Sequence, residues 1–227
     1  MGQFENLKAA DGFSLQAYVA RPTDKPRGAV VVLQEIFGVN SHIRSVADGY
    51  AKEGYLAVAP STFARVRPGV EQAYSPDDMS AGMALKTTAD ALPPPGVLMD
   101  VQAAIDYAAQ AGKVGIVGYC WGGLLTWRSA CGLRGLSAAV PYYGGGMTTE
   151  AEMARQPQCP VMAHFGEQDH WIPLAGVKAF EQAHPEVKVH TYAANHGFNC
   201  EQRGSYDASS AALARERTLA FFASHLG

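Results

Sequence analysis

Apolar positions along this chain follow two rhythms that take turns. The first is a short, nearly unbroken apolar run. Gly28 to Gln34 (G-A-V-V-V-L-Q) stays apolar until its last residue, as a strand covered on both faces would. Similar runs predict strands at Tyr55 to Ala59, from Val114 to Val117, and at Leu136 to Tyr143, Val161 to Phe165 and Val187 to Tyr192. Ser14 to Ala20 alternates apolar and polar residues, which predicts an edge strand on a hairpin turned by Asp11-Gly12. The second rhythm has helical spacing. It predicts helices from Ser41 to Glu53, capped by Asn40 or Ser41 and stopped by Gly54, from Pro76 onward, from Val97 to Ala111, from Leu124 to Cys131 and from Pro173 to His184. The last helix, Ala208 to Leu226, is expected to bury Ala212, Leu219, Phe222 and Leu226 on one face.

Strands alternating with helices imply an α/β fold: a mostly parallel central sheet with helices on both faces, in three layers. Pro93-Pro94-Pro95-Gly96 is the best linker candidate, but the alternation resumes directly after it, so residues 1–227 read as a single domain. A chain of 227 residues is long enough to bury a full core. The formal charge is −3, with no long basic run, which argues against a nucleic-acid partner. Cys120, Cys131, Cys159 and Cys200 form no C-x-x-C pair, so neither a zinc site nor a disulfide framework is expected. Residues Met1 to Asn6 carry no apolar signal core, Asn6 spoils a myristoylation motif, and no apolar run reaches membrane-spanning length. Free thiols and the lack of such signals point to the cytoplasm.

The stretch from Val114 to Gly123 (V-G-I-V-G-Y-C-W-G-G) carries the first sign of chemistry. A strand, then G-x-nucleophile-x-G, then a helix is the layout of a nucleophile elbow, here with Cys120 where serine usually stands. Gly118 and Gly122 are required because the sharp turn brings the strand and helix backbones together. At a helix N-terminus, unpaired N–H groups and the helix dipole favour a thiolate. The N–H of Trp121 would face a developing oxyanion.

In open parallel sheets, functional residues collect at the carboxyl ends of strands. Glu35, Cys120, Asp169 and His196 all fall at such ends, and the last three follow the order nucleophile, acid, histidine. His196 would act as general base and then general acid. Asp169 would fix its tautomer, and would also suit the turn before Pro173. Glu35 directly follows an apolar strand, where a carboxylate needs a partner or a proton. Ile36 lies on the loop that supplies a second oxyanion N–H in such folds.

Together these segments resemble the dienelactone hydrolase family, the carboxymethylenebutenolidases. The resemblance rests on Q-E-I-F-G-V-N at Gln34 to Asn40, E-Q-A-Y at Glu71 to Tyr74, K-V-G-I-V-G-Y-C-W-G-G at Lys113 to Gly123, G-E-Q-D-H at Gly166 to His170, H-G-F at His196 to Phe198 and A-L-A-R-E-R-T-L at Ala212 to Leu219. It implies an α/β-hydrolase fold, a Cys120–His196–Asp169 triad and an oxyanion hole from the N–H groups of Ile36 and Trp121. It further implies a Glu35 that holds the resting thiol and takes up its proton when substrate arrives, and no cofactor or metal. Family members open dienelactone to maleylacetate. This sequence departs from the family pattern at two arginines expected to bind the substrate carboxylate: Val70 and Cys200 stand in their places. Neutral lactones or esters are therefore expected to serve at least as well as dienelactone, unless Arg65, Arg67 or Arg203 reaches the site from elsewhere. Tyr74, Arg67 and Arg203 are the candidate substrate-binding residues.

The expected activity is thus a cysteine-dependent hydrolysis of a small lactone or carboxylic ester, by a monomer or weak homodimer. A thioesterase or general esterase on the same fold is the alternative enzyme. A thiol-based sensor or binding protein is the alternative outside catalysis, since a low-pKa cysteine at a helix end also suits oxidation.

Overall fold

The computed structural model describes residues 2–227; Met1 lies outside the described residues. In chain order its strands are β1 Gln3–Lys8, β2 Ser14–Ala20, β3 Ala29–Leu33, β4 Leu56–Pro60, β5 Val114–Tyr119, β6 Leu136–Tyr142, β7 Met162–Gly166 and β8 Lys188–Tyr192. The α-helices are α1 Ser41–Lys52, α2 Pro76–Asp90, α3 Leu98–Ala108, α4 Trp121–Gly132, α5 Glu150–Met153, α6 Leu174–Ala183 and α7 Ala208–Leu226. All eight strands form one sheet in the order β1-β2-β4-β3-β5-β6-β7-β8. Only β2 runs against its neighbours. This is an α/β-hydrolase architecture.

The continuous apolar runs have the predicted cause. Every residue of β3, β4, β5 and β7 is buried, because helices cover both faces there. On one face α1 and α7 meet, with Tyr50 packed edge-on to Phe222 at 6.0 Å and Arg215 bonded to Glu53 at 2.8 Å. On the other face α3 packs on α4. Trp127 of α4 meets Phe180 of α6 edge-on at 5.0 Å.

Two expectations need correction. The alternating strand β2 is not an edge, since it pairs with both β1 and β4. Its alternation marks a face open to water along the first half; toward its carboxyl end, where α1 packs on it, every residue from Ala17 to Ala20 is buried. In α7 the buried stripe is Ala211, Ala214, Thr218, Phe221, Phe222 and Leu226, while Ala212 is exposed. A buried Thr218 hid the true register: its hydroxyl donates to the Ala214 carbonyl and bonds the Tyr142 hydroxyl, so a polar residue sits satisfied in the core. No helix among the described residues is long and apolar enough to cross a membrane.

The sheet direction decides where the chemistry collects. The carboxyl ends of β3, β5, β7 and β8 all open on one rim, which brings the loops beginning at Gln34, Cys120, Glu167 and Ala193 together.

Candidate active site

Cys120 stands at the junction of β5 and α4 with φ 56° and ψ −118°, in the region that side chains other than glycine rarely adopt. The turn is made possible by its neighbours. A Cβ on Gly118 would strike the backbone of Gly122, and one on Gly122 would strike the carbonyls of Leu33 and Gln34. The conformation is pinned on both sides: Cys120 N–H donates to the Tyr142 carbonyl at 3.1 Å, and the Cys120 carbonyl accepts from Gly123 at 2.9 Å. Trp121 is the first residue of α4, so its N–H is among those that no intrahelical carbonyl takes up.

Asp169 serves two ends at once. One oxygen accepts from the backbone N–H of Trp171 at 2.8 Å and of Ile172 at 3.2 Å, which shapes the loop after β7. The other lies 2.7 Å from Nδ1 of His196, so the ring carries its proton on Nδ1 and presents Nε2 elsewhere. Burial works against a charged ring. The negative charge of a Cys120 thiolate and the hydrogen bond to Asp169 overcome it, and His196 is pushed up to about 10. The thiol and the ring are thus electrostatically coupled, although no Sγ–ring hydrogen bond of full geometry closes the pair. Such contacts often tighten only when substrate binds.

Glu35 is 1% exposed, yet its carboxylate is satisfied. Arg203 Nη1 donates to one oxygen at 2.9 Å and the Tyr74 hydroxyl to the other at 3.2 Å. Its partners are therefore Arg203 and Tyr74 rather than the thiol it was expected to hold. Tyr74 is itself braced by Asn40, which donates to its hydroxyl at 3.1 Å, and packs edge-on to Phe37 at 4.6 Å. Burial, and then the charge of Glu35, push the Tyr74 phenol well above its ordinary range. For Arg203, burial opposes the charge, and Glu35 more than restores it.

A cavity of about 330 Å³ opens over Cys120. Ile36, Phe37, Met79, Met83 and Trp171 give it mostly apolar walls; Trp121, His196, Arg203 and Lys86 also line it. Lys86 Nζ bonds Asp90 at 2.7 Å, and the other oxygen of Asp90 accepts from the Trp121 indole at 3.1 Å. That indole also stacks on Phe63 at 4.8 Å.

The expected substrate-binding residues separate. Arg203 reaches the cavity. Tyr74 sits behind it, on Glu35. Arg67 is exposed on the loop after β4 and is not among the lining residues. Arg65 is occupied by Asp11 at 2.7 Å and Asp100 at 2.8 Å. Val70 is buried, with its carbonyl against Gly38. Two neighbours escaped the sequence reading. Lys86 gave no signal, being one lysine on a helix. Tyr143 has φ 35°, a buried hydroxyl with no partner, and a ring edge-on to His196 at 5.1 Å. Its only sequence cue is its place between a strand and Gly144-Gly145-Gly146.

Residues 15–226 match the model of the dienelactone hydrolase family. A carboxymethylenebutenolidase from Pseudomonas putida is 35% identical over 240 residues, covering 96% of this chain and 94% of its own. A Synechocystis protein provisionally given the same name is 36% identical over 231 residues, covering 93% and 92%. A crystal structure from Klebsiella pneumoniae, provisionally named a dienelactone hydrolase, superposes with a TM-score of 0.84 at 32% identity, covering 99% of each chain.

Proposed function

Because this chain belongs to the dienelactone hydrolase family and is a carboxylic ester hydrolase, we propose that it opens a small lactone or ester through an acyl-enzyme on Cys120. The observation that carries this reading is the convergence of Cys120, His196 and Asp169, with the Asp169–His196 contact at 2.7 Å and a strained cysteine at the head of α4. The Cys120 sulfur attacks the carbonyl carbon. The resulting oxyanion is taken up by the N–H groups of Ile36 and Trp121. As the tetrahedral adduct collapses, the imidazolium of His196 gives its proton to the leaving alkoxide, and a thioester remains on Cys120. His196 then takes a proton from water, which attacks the thioester. The products are the acid and the free thiol. Asp169 holds the ring in one tautomer throughout.

Arg203 supplies the contact to a substrate carboxylate that Val70 and Cys200 do not. It lies on the cavity wall, which neither Arg65 nor Arg67 lines. Glu35 and Tyr74 hold it in place. A carboxylate drawn to Arg203 competes with Glu35, which is then free to accept the thiol proton and to return it to the sulfur when the acid leaves, while the proton given to the alkoxide is the His196 ring's own. Four free thiols and the lack of a membrane-spanning helix are consistent with a cytoplasmic enzyme.

Replacing the nucleophile tests the mechanism. Cys120→Ala should abolish hydrolysis while leaving the circular dichroism spectrum unchanged. Mass spectrometry of the wild type, trapped with an activated ester, should find the acyl group on Cys120. Full activity in Cys120→Ala, or an adduct confined to another cysteine, would overturn the assignment.

A further inference from the structure

Glu35 also belongs to a second cluster. One ligand atom each of Glu35, His42 and Cys200 lie within 4.8 Å of one another, and all three residues are buried. His42 is the second residue of α1, and its Nδ1 lies 2.9 Å from a carboxylate oxygen of Glu201. A carboxylate there accepts a hydrogen bond from Nδ1–H, which leaves Nε2 as a bare lone pair. That nitrogen is buried and has no hydrogen-bond partner. A buried ring nitrogen without a partner is costly, and a native structure that retains one calls for an explanation. A carboxylate bonded to the far nitrogen of a histidine is the arrangement that orients metal-binding imidazoles.

We propose that Glu35, His42 and Cys200 form a binding site for a thiophilic divalent cation of the zinc class, whose occupation withdraws Glu35 from the reaction. The donor set of thiolate, imidazole and carboxylate suits such a cation better than magnesium or calcium. Bonds of about 2.0–2.3 Å in a tetrahedral site set donors about 3.3–3.8 Å apart, so the cluster closes by at most about 1.5 Å on binding. Charge also fits. Glu35, Glu201 and Arg203 together carry one net negative charge while Cys200 is a neutral thiol. A doubly charged cation that displaces the Cys200 proton to solvent cancels it.

The cluster borders a second cleft through His42. This cleft of about 480 Å³ between α1 and α7 is lined by His42, Ser45, Tyr119, Glu201 and Arg215, and Cys120 lines only the substrate cavity. The consequence for catalysis rests on the role proposed above for Glu35; the binding itself does not.

Binding is best measured in full-length Cys120→Ala protein, where the reactive thiol cannot contribute. Equilibrium dialysis should find one zinc ion per chain. Cobalt should give a thiolate charge-transfer band that disappears in Cys200→Ser. His42→Ala should weaken binding by at least roughly tenfold, with circular dichroism verifying that each variant folds. No metal uptake, or uptake indifferent to both substitutions, overturns the site. With Cys120 present, zinc should inhibit hydrolysis, and Cys200→Ser should relieve that inhibition. Binding that depends on His42 and Cys200 but leaves turnover untouched would keep the site and discard the role given to Glu35.

Discussion

Burial alone would keep the His196 ring neutral; its charge is sustained by two partners of opposite sign. With its pKa raised from 6.5 to about 10, the stabilisation it lends the fold is complete below pH 6.5 and is lost as pH climbs through about 10. Removing the thiolate in Cys120→Ala should lower the ring's pKa markedly, because burial then meets only Asp169. A nitrogen-detected NMR titration reads this directly, and an unchanged value near 10 would mean that the thiol and ring are not coupled. Arg203 offers a second test. If it meets a substrate carboxylate, Arg203→Ala should cut kcat/KM for a free-acid lactone by tens to thousands-fold, about 2–5 kcal/mol, while a neutral lactone of similar ring loses far less. Equal losses on both substrates would assign Arg203 to Glu35 alone. The two expected arginine positions were legible as missing, and Arg203 was one of three arginines named to replace them, but which of the three reaches the cavity was not legible. Arg203 is seven residues beyond His196, and only the path of that loop brings its guanidinium back to Glu35.

Among the elements, α2 is the one that the sequence described least and the cavity uses most. Its buried residues are Gly82, Leu85 and Ala89, which make too weak a stripe to predict its extent. A glycine matters here: a Cβ on Gly82 would strike the carbonyl of Ile36, so the helix rides directly on the loop that holds the expected oxyanion donor. From that position α2 presents Met79, Met83 and Lys86 to the cavity. Its start was legible from Pro76, and the structure adds a reciprocal cap between Ser75 and Asp78. Ser75→Ala should cost about 1 kcal/mol in denaturant unfolding and raise KM more than it lowers kcat. An unaltered KM would show that the ordering of α2 does not shape the substrate site.

For the whole molecule, one hydrophobic cluster runs through both helix layers and the sheet between them, from Leu7 of β1 to Leu226 of α7. Neither half of the chain keeps its core without the other: β3 lies between β4 and β5, and the final helix covers β5, β6 and β7. Heating should therefore give a single cooperative transition, with near-ultraviolet and far-ultraviolet circular dichroism midpoints that coincide. Two separated midpoints would divide the chain into independent units and refute the single-domain reading.

Local chemistry was written in the residue order. Apolar runs marked the buried strands because a parallel sheet covered on both faces has no polar side. Gly118 and Gly122 marked the sharp turn because nothing larger fits beside the Leu33 and Gln34 carbonyls. The placement of Cys120, Asp169 and His196 on one rim was legible because each follows a strand in a sheet whose direction puts such loops there. What tertiary structure alone decided is the company each charge keeps. Glu35 is paired with Arg203 across 168 residues of sequence, and His42 with Glu201 across 159. Long-range pairs of this kind leave no periodic trace. They depend on side-chain reach between loops, and the energy at stake, that of a buried charge finding its partner, is defined only once the backbone has brought the two together.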